Sequence, residues 1–539
     1  MKFSRHFWFF ILCLTSVLFI YLPSYQAGFV TDFYAWQYMF AGKTYLDALN
    51  TFSWHANQQF SALCMYLLYQ VFKLNGWSWL IVFCFVHALN GFLLYNLFRK
   101  LLEKQGIPYP DLLSAIASLL FLLSPHAAEV LVWKVCFHYL LSGFFILSIL
   151  FMALRYFETS RAIFMLGLYG FFFLSLLTLE VALITPLLVF ALMIWLVTME
   201  NIQDASRKIM ILIVPQFLMI AGYLLLNKLF LHDWMGHYGS DVHLKFNLPD
   251  VLSNYFSYLL KYLLFTRYFE HSVKMEIFGV TEPGTVQLIL AIAAVLLLLL
   301  FFAFYRKISL QIRIAGWCWI LFSVALFPVL TLYMVTLLIG ENDRYGYFAS
   351  MFFWLMMVML FSTLPKKLFY GLCLIILVIS VFLTLKTVMW WRDSARIYYS
   401  LLDDFRWYDR DQVIVLNIAD NYHGLLMYRI YREPSALKEG LALIRHKEYK
   451  GSMYDVVNFN MMTPQDGVTV IKDSVNSLIM KFNQGGNWWW REGIGAGDYE
   501  NDVYGMHIDG DVHIQFKSLL PNHAIIYQVG GKWKEVIMN

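Results

Sequence analysis

Eleven apolar runs dominate the first 390 residues, and they restrict the chain to one kind of solvent. With boundaries uncertain by a few residues they are 7–22, 79–98, 111–124, 133–154, 162–178, 181–199, 209–231, 285–305, 314–338, 345–364 and 368–389. A straight span needs roughly 20 apolar residues. The shorter runs must therefore tilt, sit in thinned bilayer or recruit flanking aromatics. Only 14% of residues are charged and mean hydropathy is +0.60, against roughly 25% charged in a soluble domain. The chain reads as a polytopic, all-helical membrane protein with the lipid bilayer as its first partner. Its net charge of +4 comes from Lys and Arg dispersed over short loops, so no nucleic-acid partner is expected. The abundant Phe, Tyr and Trp suit interfacial belts and a lipid-facing surface.

Charge sets the expected topology. Arg99-Lys100 with Lys104, Arg155 with Arg161, Arg207-Lys208, Arg306-Lys307 with Arg313, and Lys366-Lys367 all belong in the cytoplasm by the positive-inside rule, together with Lys2 and Arg5. Eleven spans satisfy this if residues 59–74 form an interfacial or re-entrant helix. The N-terminus is then inside, residues 1–22 are a retained first span, and residues 390–539 lie outside. Residues 251–269 are apolar with Lys261 and Arg267 interspersed, as in an amphipathic interfacial helix. With compact cytoplasmic loops and no N-x-Ser/Thr site outside the membrane, a bacterial inner membrane is expected, with a periplasmic C-terminal domain.

After Trp390-Trp391 the composition turns polar. Two regions follow: a membrane domain at 1–392 and a small mixed α/β domain at 393–539. Residues 413–416 and 513–516 read as strands, and 525–537 as a hairpin closed by Gly530-Gly531. All six cysteines precede residue 390 without metal-ligand spacing, and no two histidines show it either. No metal, cofactor or disulfide in the tail is expected.

Four ionisable residues sit at span ends on the expected outer face: Asp32, Glu129, Glu180 and Arg344. Charges at that depth are costly and mark functional candidates. Asp32 is either a general base or a helix N-cap. Glu129 follows Ser124-Pro125-His126-Ala127-Ala128 and either complements a helix dipole or belongs to a site. Glu180 lines a cavity, pairs with a cation or marks a tight turn. Arg344, with Tyr345 and Tyr347, either grips a phosphate or pairs locally with Glu341 or Asp343. His87 and His138 read as packed, hydrogen-bonding groups. Trp488-Trp489-Trp490 with Arg491 either stacks on sugar rings or packs in a core.

In order along the chain these stretches resemble the GT-C superfamily of integral-membrane glycosyltransferases. Within it they are similar to the protein O-mannosyltransferase-like branch whose eukaryotic members carry TPR repeats. The likeness rests on Phe29-Val30-Thr31-Asp32-Phe33, on residues 79–90 with His87, and on the stretch from Ser124 through His126 and Glu129 to Trp133. It continues with Leu179-Glu180 and with Asp343-Arg344-Tyr345-Gly346-Tyr347-Phe348-Ala349-Ser350. The departures are Phe33 in place of a second Asp, a His shifted by one to His126, Leu179 in place of Lys, and an unrelated tail. The resemblance implies a polyprenyl-phosphate-linked sugar donor and transfer on the outer face to a protein, glycan or lipid acceptor. It assigns Asp32 as catalytic base, with Glu129, Glu180, Arg344, Tyr345 and His126 binding substrate. A polysaccharide polymerase or ligase using lipid-linked glycans, and a non-enzymatic lipid or sugar transporter, are the competing classes.

Overall fold

The computed structural model describes residues 5–30, 33, 37, 40, 42–47, 58–197, 202–234, 247–331, 343–427, 435–483, 489–490 and 497–538. Among them, eight helices are long and apolar enough to cross a membrane, or nine if one bent pair counts as a single span. This is the make-up of a multi-pass membrane protein. The first half of the helical part comprises α1 (Arg5–Tyr21), α2 (Gln59–Phe72), α3 (Gly76–Lys104), α4 (Pro110–Leu122), α5 (Ala128–Val132), α6 (Phe137–Thr159), α7 (Ala162–Leu176) and α8 (Thr185–Leu196). It continues with α9 (Ile202–Phe230), α10 (Leu248–Leu264), α11 (His271–Gly279), α12 (Thr285–Ala303), α13 (Leu310–Leu326), α14 (Tyr347–Phe361) and α15 (Lys366–Asp404). Where the residues are described the expected runs fall on helices, but the spans number fewer than the eleven expected, because the runs at 162–178 and 181–199 give only the shorter helices Ala162–Leu176 and Glu180–Leu196. Residues 59–74 give the short α2, and the run at 111–124 gives α4, the first arm of the bent pair Pro110–Leu122 and Pro125–Val132, which turns by 52°. Pro125 cannot continue the helix, because it lacks the N–H that the preceding turn needs.

Burial grades the spans. α3 packs against α1, α4 and α6, and α13 against α14. In α12, by contrast, almost every side chain faces outward, with Leu296, Leu297, Leu299 and Leu300 exposed. A helix that is apolar all round and unburied by protein needs lipid around it. α3 and α6 approach closely because Gly143 has no side chain. A Cβ there would lie 2.9 Å from Asn90 Nδ2 and 3.0 Å from the Tyr347 ring.

α15 runs for 39 residues without a break, straight through the expected boundary at 392/393. The change of composition therefore falls within one helix, and the first strand begins only at Gln412. Beyond it, β1 (Gln412–Tyr422) and β3 (Ser452–Met461) pair in parallel and are linked by α16 (Ser435–Arg445), a βαβ unit. β10 (His523–Val529) pairs parallel to the other edge of β1, and β11 (Lys532–Val536) returns antiparallel through Gly530-Gly531. The expected hairpin is present in that register, Val529 opposite Lys532. The short strands β2 (Leu425–Leu426) and β6 (Trp489–Trp490) complete this sheet. β4 (Val468–Lys472), β5 (Ser477–Phe482), β7 (Tyr499–Glu500), β8 (Tyr504–Asp509) and β9 (Asp511–Phe516) form a second, antiparallel sheet in the order β4-β5-β9-β8-β7. The tail is thus more β-rich than the expected α/β mixture.

The tail grips the end of α15. Arg445 Nη1 donates to the carbonyls of Leu402 (3.0 Å) and Phe405 (2.6 Å), satisfying acceptors that a helix C-terminus otherwise leaves bare. Trp533 adds its indole N–H to Leu401 O at 2.8 Å and its backbone N–H to the Asp404 carboxylate at 2.9 Å.

Candidate functional site

Two adjacent residues ahead of α14 each organise a buried ion cluster. Asp343 and Arg344 open the 3-10 turn Asp343–Gly346, which packs on the turn Pro125–Ala127 and on α5. The buried Asp343 carboxylate accepts Lys261 Nζ at 2.8 Å and pairs with the Arg267 guanidinium. His126 Nδ1 stands 3.7 Å away, beyond hydrogen-bond range, with its ring stacked on Phe265 and edge-on to Tyr262. Next door, Glu129 takes the Arg344 backbone N–H at 3.0 Å and its guanidinium. The guanidinium lies over Trp133 and Tyr345, 5.1 and 4.6 Å from the ring centres, and Nη2 donates to the Tyr345 hydroxyl at 3.2 Å.

Of the residues singled out from sequence, Glu129, His126, Arg344 and Tyr345 come together here. The local pairing of Arg344 with Asp343 does not form. Arg344 pairs with Glu129, and Asp343 turns to Lys261 and Arg267. Glu180 opens a separate 3-10 turn, Glu180–Ile184, half-buried between α7 and α8 and against the turn Phe327–Val329. Asp32 lies outside the described residues, as do Glu341 and Trp488. The backbone leading to Asp32 is anchored at the site's edge. Lys134 N–H donates to Gly28 O at 3.1 Å and the Trp133 indole to Val30 O at 3.3 Å. Gly28 sits at φ +85° with Val132 O where a Cβ would be, so only glycine permits this approach.

Lys261, Arg267 and Asp343 escaped sequence reasoning as site residues. The segment was expected to be an amphipathic interfacial helix, but α10 and the 3-10 turn Thr266–Tyr268 that follows it bury both cations. The buried face of α10 carries Asn254, Ser257, Tyr258, Lys261 and Tyr262, while Leu263 and Leu264 are exposed. The signal was present as polar residues at 254, 257 and 261, a helical period apart.

A second polar network lies deeper in the bundle. His87 Nδ1 meets the Tyr347 hydroxyl at 2.8 Å and its Nε2 meets Leu122 O at 3.2 Å. Asn90 donates to Tyr347 and to Leu140 O. His87 is thus a packed, hydrogen-bonded group, as is His138, whose Nδ1 meets Val135 O at 2.8 Å.

Compared with known proteins, the chain matches no family model and no curated sequence.

Proposed function

We propose that the chain is a GT-C-type membrane glycosyltransferase that takes a sugar from a polyprenyl-phosphate-linked donor. The supporting observation is the pair of ion clusters joined at Asp343-Arg344. Three cations, Lys261, Arg267 and Arg344, are held by two carboxylates, Asp343 and Glu129, with Trp133, Tyr345 and His126 beside them. Cations fixed in place before substrate arrives stabilise a developing negative charge without reorganising. Aromatic faces beside a cation suit a sugar ring next to its phosphate.

On this reading the Asp32 carboxylate takes the proton of the acceptor hydroxyl as its oxygen attacks the anomeric carbon. The bond from that carbon to the phosphate oxygen breaks, and polyprenyl phosphate leaves with the bonding pair. Arg344 offsets the charge growing on the leaving oxygen, while Glu129 holds the guanidinium in place. Attack opposite the leaving group inverts the anomeric centre. A phosphate leaves without help from a general acid. The site then faces the outer side of a bacterial inner membrane, with the tail in the periplasm.

The test is transfer of label from a synthetic polyprenyl-phosphate sugar by purified wild-type protein, with cell-envelope extract as acceptor. Asp32→Asn abolishes transfer and Arg344→Gln slows it by about 100-fold or more. Unchanged turnover in Asp32→Asn overturns the assignment of the base. Long products in place of single additions point to the polymerase class.

A further inference from the structure

The β domain is layered. Along β1, Val413 and Val415 join the core shared with the helices, while Ile414 and Leu416 join the core shared with the second sheet. The second sheet turns Leu478, Met480, Met506, Val512 and Ile514 toward that core. Side chains alternate between the faces of a sheet, so the residues between them face away from the protein.

Register orders this outer face in two rows. Ile471, Ile479, His513 and His507 stand opposite one another across β4, β5, β9 and β8. Two residues along, Ser477, Gln515, Gly505 and Glu500 do the same across β5, β9, β8 and β7. Gly505 leaves the second row with a gap. A Cβ there would meet only Glu500 Cγ, at 4.0 Å. The result is an open cavity of about 610 Å³, within the roughly 300–1,000 Å³ of small-ligand sites.

Among the described residues, Asp473, Asp498 and Glu500 line this cavity and no Lys or Arg does. Asp498 meets His507 Nδ1 at 2.8 Å and accepts the Ile508 N–H at 3.0 Å. Asp473 accepts the Ser477 hydroxyl at 2.9 Å, and Glu500 pairs with Lys517. The His507 ring holds the Asp498 carboxyl below the usual carboxylate range, and the Lys517 ammonium does the same for Glu500. Both stay accessible, with side chains 64% and 69% exposed. A carboxylate has about four acceptor positions, so each keeps room for a further donor. Gln515, exposed in the second row, offers a donor and an acceptor together.

We propose that this face binds a glycan carrying free amino sugars. The carboxylates take its ammonium groups and hydroxyls, and Gln515 serves the hydroxyls in either direction. The His507 and His513 rings, 6.5 Å apart, and Ile479 beside them offer flat, apolar surface to the C–H side of a pyranose. Charge decides the kind of sugar. The lining acids repel a uronate, give an N-acetylated unit neutral bonds only, and give an ammonium charge-assisted ones, which are roughly twice as strong. The cavity, the gap at Gly505 and the paired imidazoles separate this face from a merely acidic surface. Only the purpose of the site rests on the glycosyltransferase reading: it holds a length of acceptor glycan away from the reacting end.

The test titrates tetra-glucosamine calorimetrically into full-length protein in phosphatidylcholine nanodiscs, beside its fully N-acetylated form and spermine. The free amine binds at least about tenfold more tightly than the acetylated tetramer, the difference of one charge-assisted contact. Asp498→Asn, an exposed change, weakens binding by about tenfold. Gly505→Val places a strand-favouring side chain in the gap and abolishes binding, with the unfolding temperature unchanged. Equal binding of the two tetramers overturns the proposal, as does wild-type binding by either variant. Spermine binding as tightly as tetra-glucosamine reduces the face to a trap for any polycation and overturns it too. Binding without label transfer keeps the site and overturns only the reaction.

Discussion

Two of the buried polar networks among the described residues flank the start of α14, and they are built on opposite principles. Around Tyr347, neutral groups meet neutral groups. His87, Asn90 and the hydroxyl share bonds with the carbonyls of Leu122 and Leu140. Three or four residues earlier, Asp343 and Arg344 gather full charges from helices far away in sequence. Neutral networks add modest stability and specify how helices meet. Buried ion clusters seldom add net stability, because removing charges from water costs about what their attraction returns. A fold that needed only rigidity at this end had the cheaper solution in hand a single turn away. The charged cluster is therefore where function is to be sought.

The comparison breaks most visibly at Asp343. Asp343→Leu strands Lys261 and Arg267 and costs about 3–5 kcal/mol, seen as a large drop in unfolding temperature in detergent. Replacing all three with Leu, Leu and Met recovers most of that loss, while transfer is absent. Recovery of activity along with stability would make the cluster structural. In the neutral network, Gly143→Ala pushes a methyl group against Asn90 and Tyr347 and costs about 1–3 kcal/mol, read by the same melt. Tyr347→Phe removes one hydroxyl shared by two partners and costs about 1 kcal/mol, with label transfer unaltered.

The β domain adds a dependence on pH. Because burial and, after it, the charges of Lys386, Lys274 and Arg267 depress the folded pKa of His423 to about 4, below the unfolded value near 6.5, the unfolded chain binds the extra proton first. The tail's stability is whole above pH ~6.5 and declines as pH falls toward ~4. Limited proteolysis of the tail across that range detects the decline, and His423→Asn flattens it.

The helices were readable because an apolar run of span length has few alternatives, and the 525–537 hairpin because Gly530-Gly531 permits a tight reversal. Glu129 and Arg344 were readable singly, since a charge at a span end stands out. Their pairing was not, because 215 residues separate them and only the packing of the turn Asp343–Gly346 on α5 joins them. Lys261 and Arg267 failed for another reason. A cation on an apolar helix, as Lys261 is, or in the turn that follows it, as Arg267 is, looks the same in sequence whether it snorkels outward or is drawn inward by a carboxylate. The buried polar stripe at 254, 257 and 261 distinguishes the two. The extent of α15 was hidden because a change of solvent alters composition without breaking a helix.

That unbroken helix has a mechanical consequence. At 39 residues it is about 58 Å long, nearly twice the roughly 30 Å of hydrocarbon it has to cross. Its far end is clamped by Arg445 and Trp533 to the β domain, and His423, in the turn between β1 and β2, stacks on it lower down at Trp390. The helix thus joins a lipid-embedded stretch to the β domain through one continuous run of backbone hydrogen bonds. Whatever tilt its neighbouring helices and interfacial anchors impose is passed to the β domain with no flexible joint between the two.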